Sequence, residues 1–290
     1  MSATQHMVAA IVRNLLGDAP LTSQEILAVA TALGRSRGDH RAMTMFCDHF
    51  LKAVRNCNYN SEENGERMVL RRLAAFRPKI VFDVGANEGE WSRLALAEMP
   101  GIALHAFEII PETFRILQQK MAGEEGIRLG NFGLSDRNGE VEMHVYASSS
   151  TISSHVPYPH DGDCRTVACP VRTGDGYMRE NGIERIDFLK LDVEGAESDV
   201  LQGFSAALSE GCVDVVQFEY GKINIMTRFL LCDFYRFFEE RDYAVGKIYP
   251  DFVDFRPYDL DDEDFLGPNY IACRRLRADI REALGQRQAG

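Results

Sequence analysis

The chain is poor in the features that mark several common protein classes. Its seven cysteines are an odd number and contain no CxxC pair; Cys164 and Cys169, with four residues between them, come nearest. That pattern excludes a zinc ribbon and a disulfide framework, so reduced thiols in a cytoplasmic protein are expected. Basic residues are outnumbered 32 to 44, for a net charge of −12. Nucleic acids and anionic membranes select a basic footprint, so neither is expected as the main partner. The arginines before the first strand (Arg67, Arg71, Arg72, Arg77) and after the last (Arg274, Arg275, Arg277) read as solvated faces. No run of about 18 apolar residues could span a bilayer, and the amino end shows no secretory signal. Hydrophobic residues (45%) and charged ones (26%) stand near globular averages. The length of 290 residues holds one large domain and an appendage.

The most informative stretch is IVFDVGANEGEW, residues 80–91. An apolar run, Ile80 to Phe82, ends in Asp83, and a turn from Gly85 to Gly89 leads into a helical segment, Trp91 to Met99. Strand, tight turn and helix follow at once, with the turn at the carboxyl end of the strand, where open α/β sheets bind ligands. The dinucleotide fingerprint G-x-G-x-x-G is absent, because Asn87 stands where the central glycine would admit a pyrophosphate. An acid beside the turn repels a pyrophosphate and suits an amine-bearing ligand such as the methionyl part of S-adenosylmethionine.

A second apolar run, Ile102 to Phe107, ends in Glu108. In a βαβ unit an acid at this place accepts hydrogen bonds from ribose hydroxyls. Pro111 then fits the first turn of a helix. Ile186 to Leu191 leads into Asp192-Val193-Glu194-Gly195-Ala196-Glu197, and Val213 to Phe218 ends in Glu219. Asp83, Glu108, Asp192 and Glu219 therefore converge on one edge of the expected sheet, as a binding cleft requires.

With these pieces in place the chain resembles the FkbM-type, S-adenosylmethionine-dependent methyltransferases. The resemblance is carried by VFDVGANEGEW (81–91), FEIIPETF (107–114), FGLSDRNGEVEMHV (132–145), IDFLKLDVEGAESDVLQGF (186–204) and VVQFEYG (215–221), within about residues 66 to 274. One departure is FEII at 107–110, with Pro111 two residues later than the family pattern. The resemblance implies an α/β fold of the class I methyltransferase type: a Rossmann-like seven-stranded sheet flanked by helices, its last strand antiparallel. Two late strands, Tyr243 to Tyr249 and Asn269 to Cys273, agree with it, as does a helix from Leu230 to Glu240 with Phe234, Phe237 and Phe238 on its core face. It also implies S-adenosylmethionine as cofactor. Asp83 and the backbone at Gly85 are expected at the methionyl amine and Glu108 at the ribose. Asn131 or Leu134 is expected at the adenine, and Asn87, Gly89, Ile109 and Asp192 complete the cofactor set.

The sulfonium methyl is already activated, so the protein must chiefly align donor and nucleophile. An alcohol acceptor also needs a base or a metal to take its proton. Asp192, Glu219 and His155 are the expected catalytic residues, and Glu194 serves either as a base or as a support for its turn. Carboxylates at Asp192 and Glu219 would suit magnesium, although the spacing demands no metal. The expected activity is O-methylation of a small molecule, a sugar or polyketide-type natural product, a class taken from the resemblance alone. A non-catalytic binding module and a nicotinamide-dependent oxidoreductase are the alternatives.

Residues 1–65 read as a separate helical region, 66–275 as the methyltransferase domain and 276–290 as a helical tail. Helices are expected over Thr4 to Leu16, after a capping box at Thr22 and Glu25, and over Arg41 to Arg55 with Met43, Phe46, Phe50 and Val54 on one face. Lid, homodimerisation surface and plain packing are the three roles open to this region. Tyr59, Asn64 and Glu66 are candidates at the cleft mouth. The polar run Ser148 to His155, with His160 beyond it, reads as a loop over the acceptor site. Asp251 to Asp264 carries seven acids among aromatics and reads as a solvated connection.

Overall fold

The computed structural model describes residues 22–35, 40–146, 153–154, 156–157 and 164–287. The expected first helix, most of the 148–163 run, His155 and His160 lie outside the described residues. Contacts divide the chain after Leu51, earlier than the boundary at residue 65 drawn from sequence. Helix Ser23–Gly34 and most of helix Arg41–Val54 belong to the first unit. The helical period at Phe46 and Phe50 is real, and the two rings stack 6.2 Å apart, but the helix buries no residue.

Among the described residues the second unit has twelve strands: β1 Ile80–Val84, β2 Ala103–Phe107, β3 Ile127–Gly130, β4 Gly133–Leu134, β5 Gly139–Tyr146, β6 Ser153–Ser154, β7 Cys164–Arg172, β8 Ile186–Leu191, β9 Val213–Glu219, β10 Tyr243–Ile248, β11 Val253–Phe255 and β12 Asn269–Arg274. The main sheet runs β11-β10-β12-β9-β8-β1-β2-β3. It has eight strands where seven were expected. The added one is β11, which pairs antiparallel with the edge of β10, inside the acidic segment read as a connection. From β3 to β9 neighbouring strands are parallel, and β12 inserts antiparallel between β9 and β10.

The central strands are buried along almost their whole length, the pattern of a parallel sheet covered on both faces. One face holds Phe82, Leu189, Val216 and Phe218 under the aromatics Tyr177, Phe204, Phe234 and Phe238. The other holds Val81, Phe188 and Val215 under Leu70, Trp91 and Leu94. The carboxyl-terminal helix Ala278–Gly285 adds Ile280 and Leu284 to that second layer. A smaller sheet, β4-β7-β5-β6, is formed between β3 and β8 in the chain and walls one side of the cleft. Among the described residues no helix is long and apolar enough to cross a membrane.

Candidate active site

A cleft of about 1310 Å³ opens at the carboxyl ends of β1, β2, β8 and β9. The turn after β1 is shaped by Gly85, at φ +86°, where an added Cβ would stand 1.8 Å from the carbonyl oxygen of Asp192. Only glycine permits that close approach of the β1 and β8 turns. The N–H groups of Gly85 and Ala86 both donate to the Phe107 carbonyl, tying the turn to the end of β2.

Glu108 follows directly. Its two carboxylate oxygens accept the backbone N–H groups of Asn87, at 3.0 Å, and Ile110, at 2.8 Å. Burial nevertheless pushes its pKa up to about 7. Asn131 donates to the Glu108 carbonyl at 2.9 Å and so supports this loop from behind the lining.

Opposite lies a cluster of three carboxyls, Asp192, Glu194 and Glu219, with one oxygen of each within 4.8 Å of the others. Asp192 bonds the ammonium of Lys190 at 3.1 Å. Burial works against its ionisation, but Lys190 and a hydrogen bond with Glu219 hold its pKa below the ordinary value. Glu219 goes the other way: burial, then the charges of Asp192 and Glu194, raise it well above the carboxylate range. The two acids are therefore driven apart, Asp192 toward the ionised form and Glu219 toward the protonated one. Burial and Asp192 push Glu194 up to about 8.

The turn that carries Asp192 and Glu194 is clamped twice. Glu197 accepts from the N–H groups of Val193 (3.1 Å) and Gly195 (3.3 Å), and the Ser154 hydroxyl donates to the Glu194 carbonyl at 2.8 Å. Glu194 itself holds φ +51°, a conformation that non-glycine residues seldom adopt.

Of the residues read from sequence, Gly85, Asn87, Glu108, Ile109, Leu134, Asp192 and Glu219 line the cleft, together with Tyr59 and Glu66. Asp83 does not. It is fully buried and bonded to the Ser92 hydroxyl at 2.6 Å and to Lys190 at 3.3 Å, because register sets it beside Lys190 on the next strand. Gly89 also stands behind the lining, as the left-handed N-cap of helix Glu90–Glu98. Glu66 is saturated by the side-chain amides of Asn64, Gln217 and Asn269.

Sequence reasoning gave no role to Lys190, Trp91 or Ser154. Lys190 carried a usable signal: it lies two residues before Asp192 in a strand and so shares its face. Two buried polar atoms of cleft-lining residues have no partner, Oδ1 of Asn87 and Nε1 of Trp91.

The strand order, with β12 inserted antiparallel beside β9 and the ligand edge at β1 and β2, is that of a class I methyltransferase. A profile of the methyltransferase FkbM domain matches residues 83–245, and the chain belongs to that family. It is 29% identical to the 2-O-methyltransferase NoeI of Sinorhizobium fredii over 144 residues, 45% of this chain and 59% of that protein. It is 31% identical to the 31-O-demethyl-FK506 methyltransferase FkbM of Streptomyces tacrolimicus over 176 residues, 49% of this chain and 66% of that protein. The matches thus span about three-fifths to two-thirds of these relatives' length. Among solved structures, a methyltransferase FkbM from Methylobacillus flagellatus aligns with a TM-score of 0.44 at 18% identity, over 67% of this chain and 43% of that one.

Proposed function

We propose that this methyltransferase takes its methyl group from S-adenosylmethionine and places it on a hydroxyl oxygen of a small molecule. The observation that carries this reading is the opposition, across one cleft, of Glu108 at the end of β2 and the Asp192–Glu219 pair at the ends of β8 and β9. The cofactor fits the residues present. Glu108 offers a buried carboxylate to a ribose diol, Asn87 offers an unpartnered oxygen to the methionyl ammonium, and Ile109 and Leu134 offer apolar surface to the adenine. When bound, the sulfonium supplies an activated methyl group and needs no further activation by the protein.

The chain's own residues then hold the acceptor and its proton. Asp192, kept ionised by Lys190, is the base that accepts the hydroxyl proton. Protonated Glu219 steadies Asp192 and orients the acceptor. Asp192, the one of the three carboxyls held ionised, disfavours an anionic acceptor, and the cluster accommodates a neutral polyol. Two relatives named for O-methylation, one at a 2-O position and one at the 31-O position of FK506, support a sugar or polyketide-type hydroxyl here. The test is a methyl-transfer assay over neutral glycosides and macrolide alcohols, with matched carboxylates as controls. Transfer only to carboxylates would overturn the oxygen-hydroxyl assignment.

A further inference from the structure

Trp91 has no role in the proton transfer proposed above, yet its position is unusual for a core tryptophan. It is the only tryptophan in the chain. It is 6% exposed, contributes to the cleft wall, and its indole N–H meets no acceptor. Indole nitrogen is a donor only, and a buried donor without a partner is disfavoured because it has given up its bond to water. The ring is packed against Phe188, with centroids 5.7 Å apart. The Lys190 ammonium lies over the ring face, 5.4 Å from the centroid. Two of its three N–H groups serve Asp83 and Asp192. A donor next to an ammonium calls for an anionic acceptor. No protein group among the described residues accepts from the indole N–H, so its acceptor must come from a bound molecule.

We infer that Trp91, with Lys190 beside it, receives the carboxylate at the methionyl end of S-adenosylmethionine. This rests on the cofactor reading above and adds a residue to it. Asn87 supplies an acceptor and Trp91 a donor, both lining the same cleft and both without protein partners. An α-amino-acid zwitterion requires one of each. Phenylalanine would fill the same layer against Phe188 without the donor, so packing alone gives no reason for an indole.

The test is calorimetric titration of the full chain and of Trp91→Phe with S-adenosylhomocysteine and with methylthioadenosine, which lacks the amino-acid end. Loss of one charge-assisted hydrogen bond should weaken S-adenosylhomocysteine about tenfold and leave methylthioadenosine within about twofold. In the unmodified chain, emission from the single tryptophan should respond to S-adenosylhomocysteine more than to methylthioadenosine, a readout that needs no variant and no turnover. Equal weakening of both ligands, or none, would overturn the inference, as would equal emission changes with the two ligands. Binding of neither ligand by the unmodified chain would overturn the cofactor reading itself, a result distinct from a failure at Trp91.

Discussion

Asp83 and Lys190 stand side by side on β1 and β8, 107 residues apart in sequence, with carboxylate and ammonium 3.3 Å apart inside the sheet. This contact makes Lys190 the link between the buried end of β1 and the open cluster at Asp192. Replacing Lys190 with Met leaves Asp83 charged, buried and without its cation. The expected loss is about 3–5 kcal/mol of stability, seen as a lower urea midpoint. A midpoint unchanged by Lys190→Met would show that the pair contributes nothing.

Glu108 and Asp83 separate by the same logic. Glu108→Ala should weaken S-adenosylhomocysteine more than tenfold, about 1.4 kcal/mol, because that carboxylate lines the cleft. Asp83→Ala should lower the unfolding midpoint first, since its partners are Ser92 and Lys190. Calorimetry and denaturant melts on both variants distinguish the two roles, and the reverse outcome would contradict the assignment.

The sequence shows Glu108 well and Asp83 poorly, for a physical reason. Both acids end apolar strands, but only long-range register decides that Asp83 turns to a lysine on a strand over a hundred residues away. The eighth strand was hidden in the same way. Val253–Phe255 is three residues in an acidic stretch, and its pairing with Gly246–Ile248 makes it a strand. Helical period marked Phe46 and Phe50 as one face, but period says nothing about whether that face is covered. The D-V-E-G-A-E segment was legible as a turn that carries acids, whereas its clamp by Ser154 depends on a strand far earlier in the chain.

Asp192 and Glu219 should differ in turnover. Asp192→Asn removes the base and should slow transfer to a hydroxyl acceptor by roughly 10²–10⁴. Glu219→Gln keeps a donor to Asp192 and should retain most of the rate. Steady-state rates for both variants, with S-adenosylhomocysteine affinity measured alongside, check this, and the opposite ranking would exchange the roles.

Stability should fall as pH rises through neutrality. Burial pushes Glu197 up to about 7 from an ordinary 4.5, so the folded chain holds that proton more tightly than the unfolded one. Its contribution is fully present below about 4.5 and is lost as pH rises through about 7. Glu108, raised to about 7, and Glu194, to about 8, act in the same direction. Glu197→Gln keeps an oxygen for the N–H groups of Val193 and Gly195 and should flatten the decline. Denaturant melts from about pH 5 to about pH 8 measure it, and an unaltered slope would remove Glu197 from the account.

The central claim is that the cleft between Glu108 and Asp192 holds an adenosyl cofactor. Calorimetric titration of the purified chain with S-adenosylmethionine, S-adenosylhomocysteine and NAD tests it most directly. Micromolar binding of the two adenosyl ligands, about −8 kcal/mol, and none of NAD is the expected result. Binding of NAD with silence toward both adenosyl ligands would contradict it.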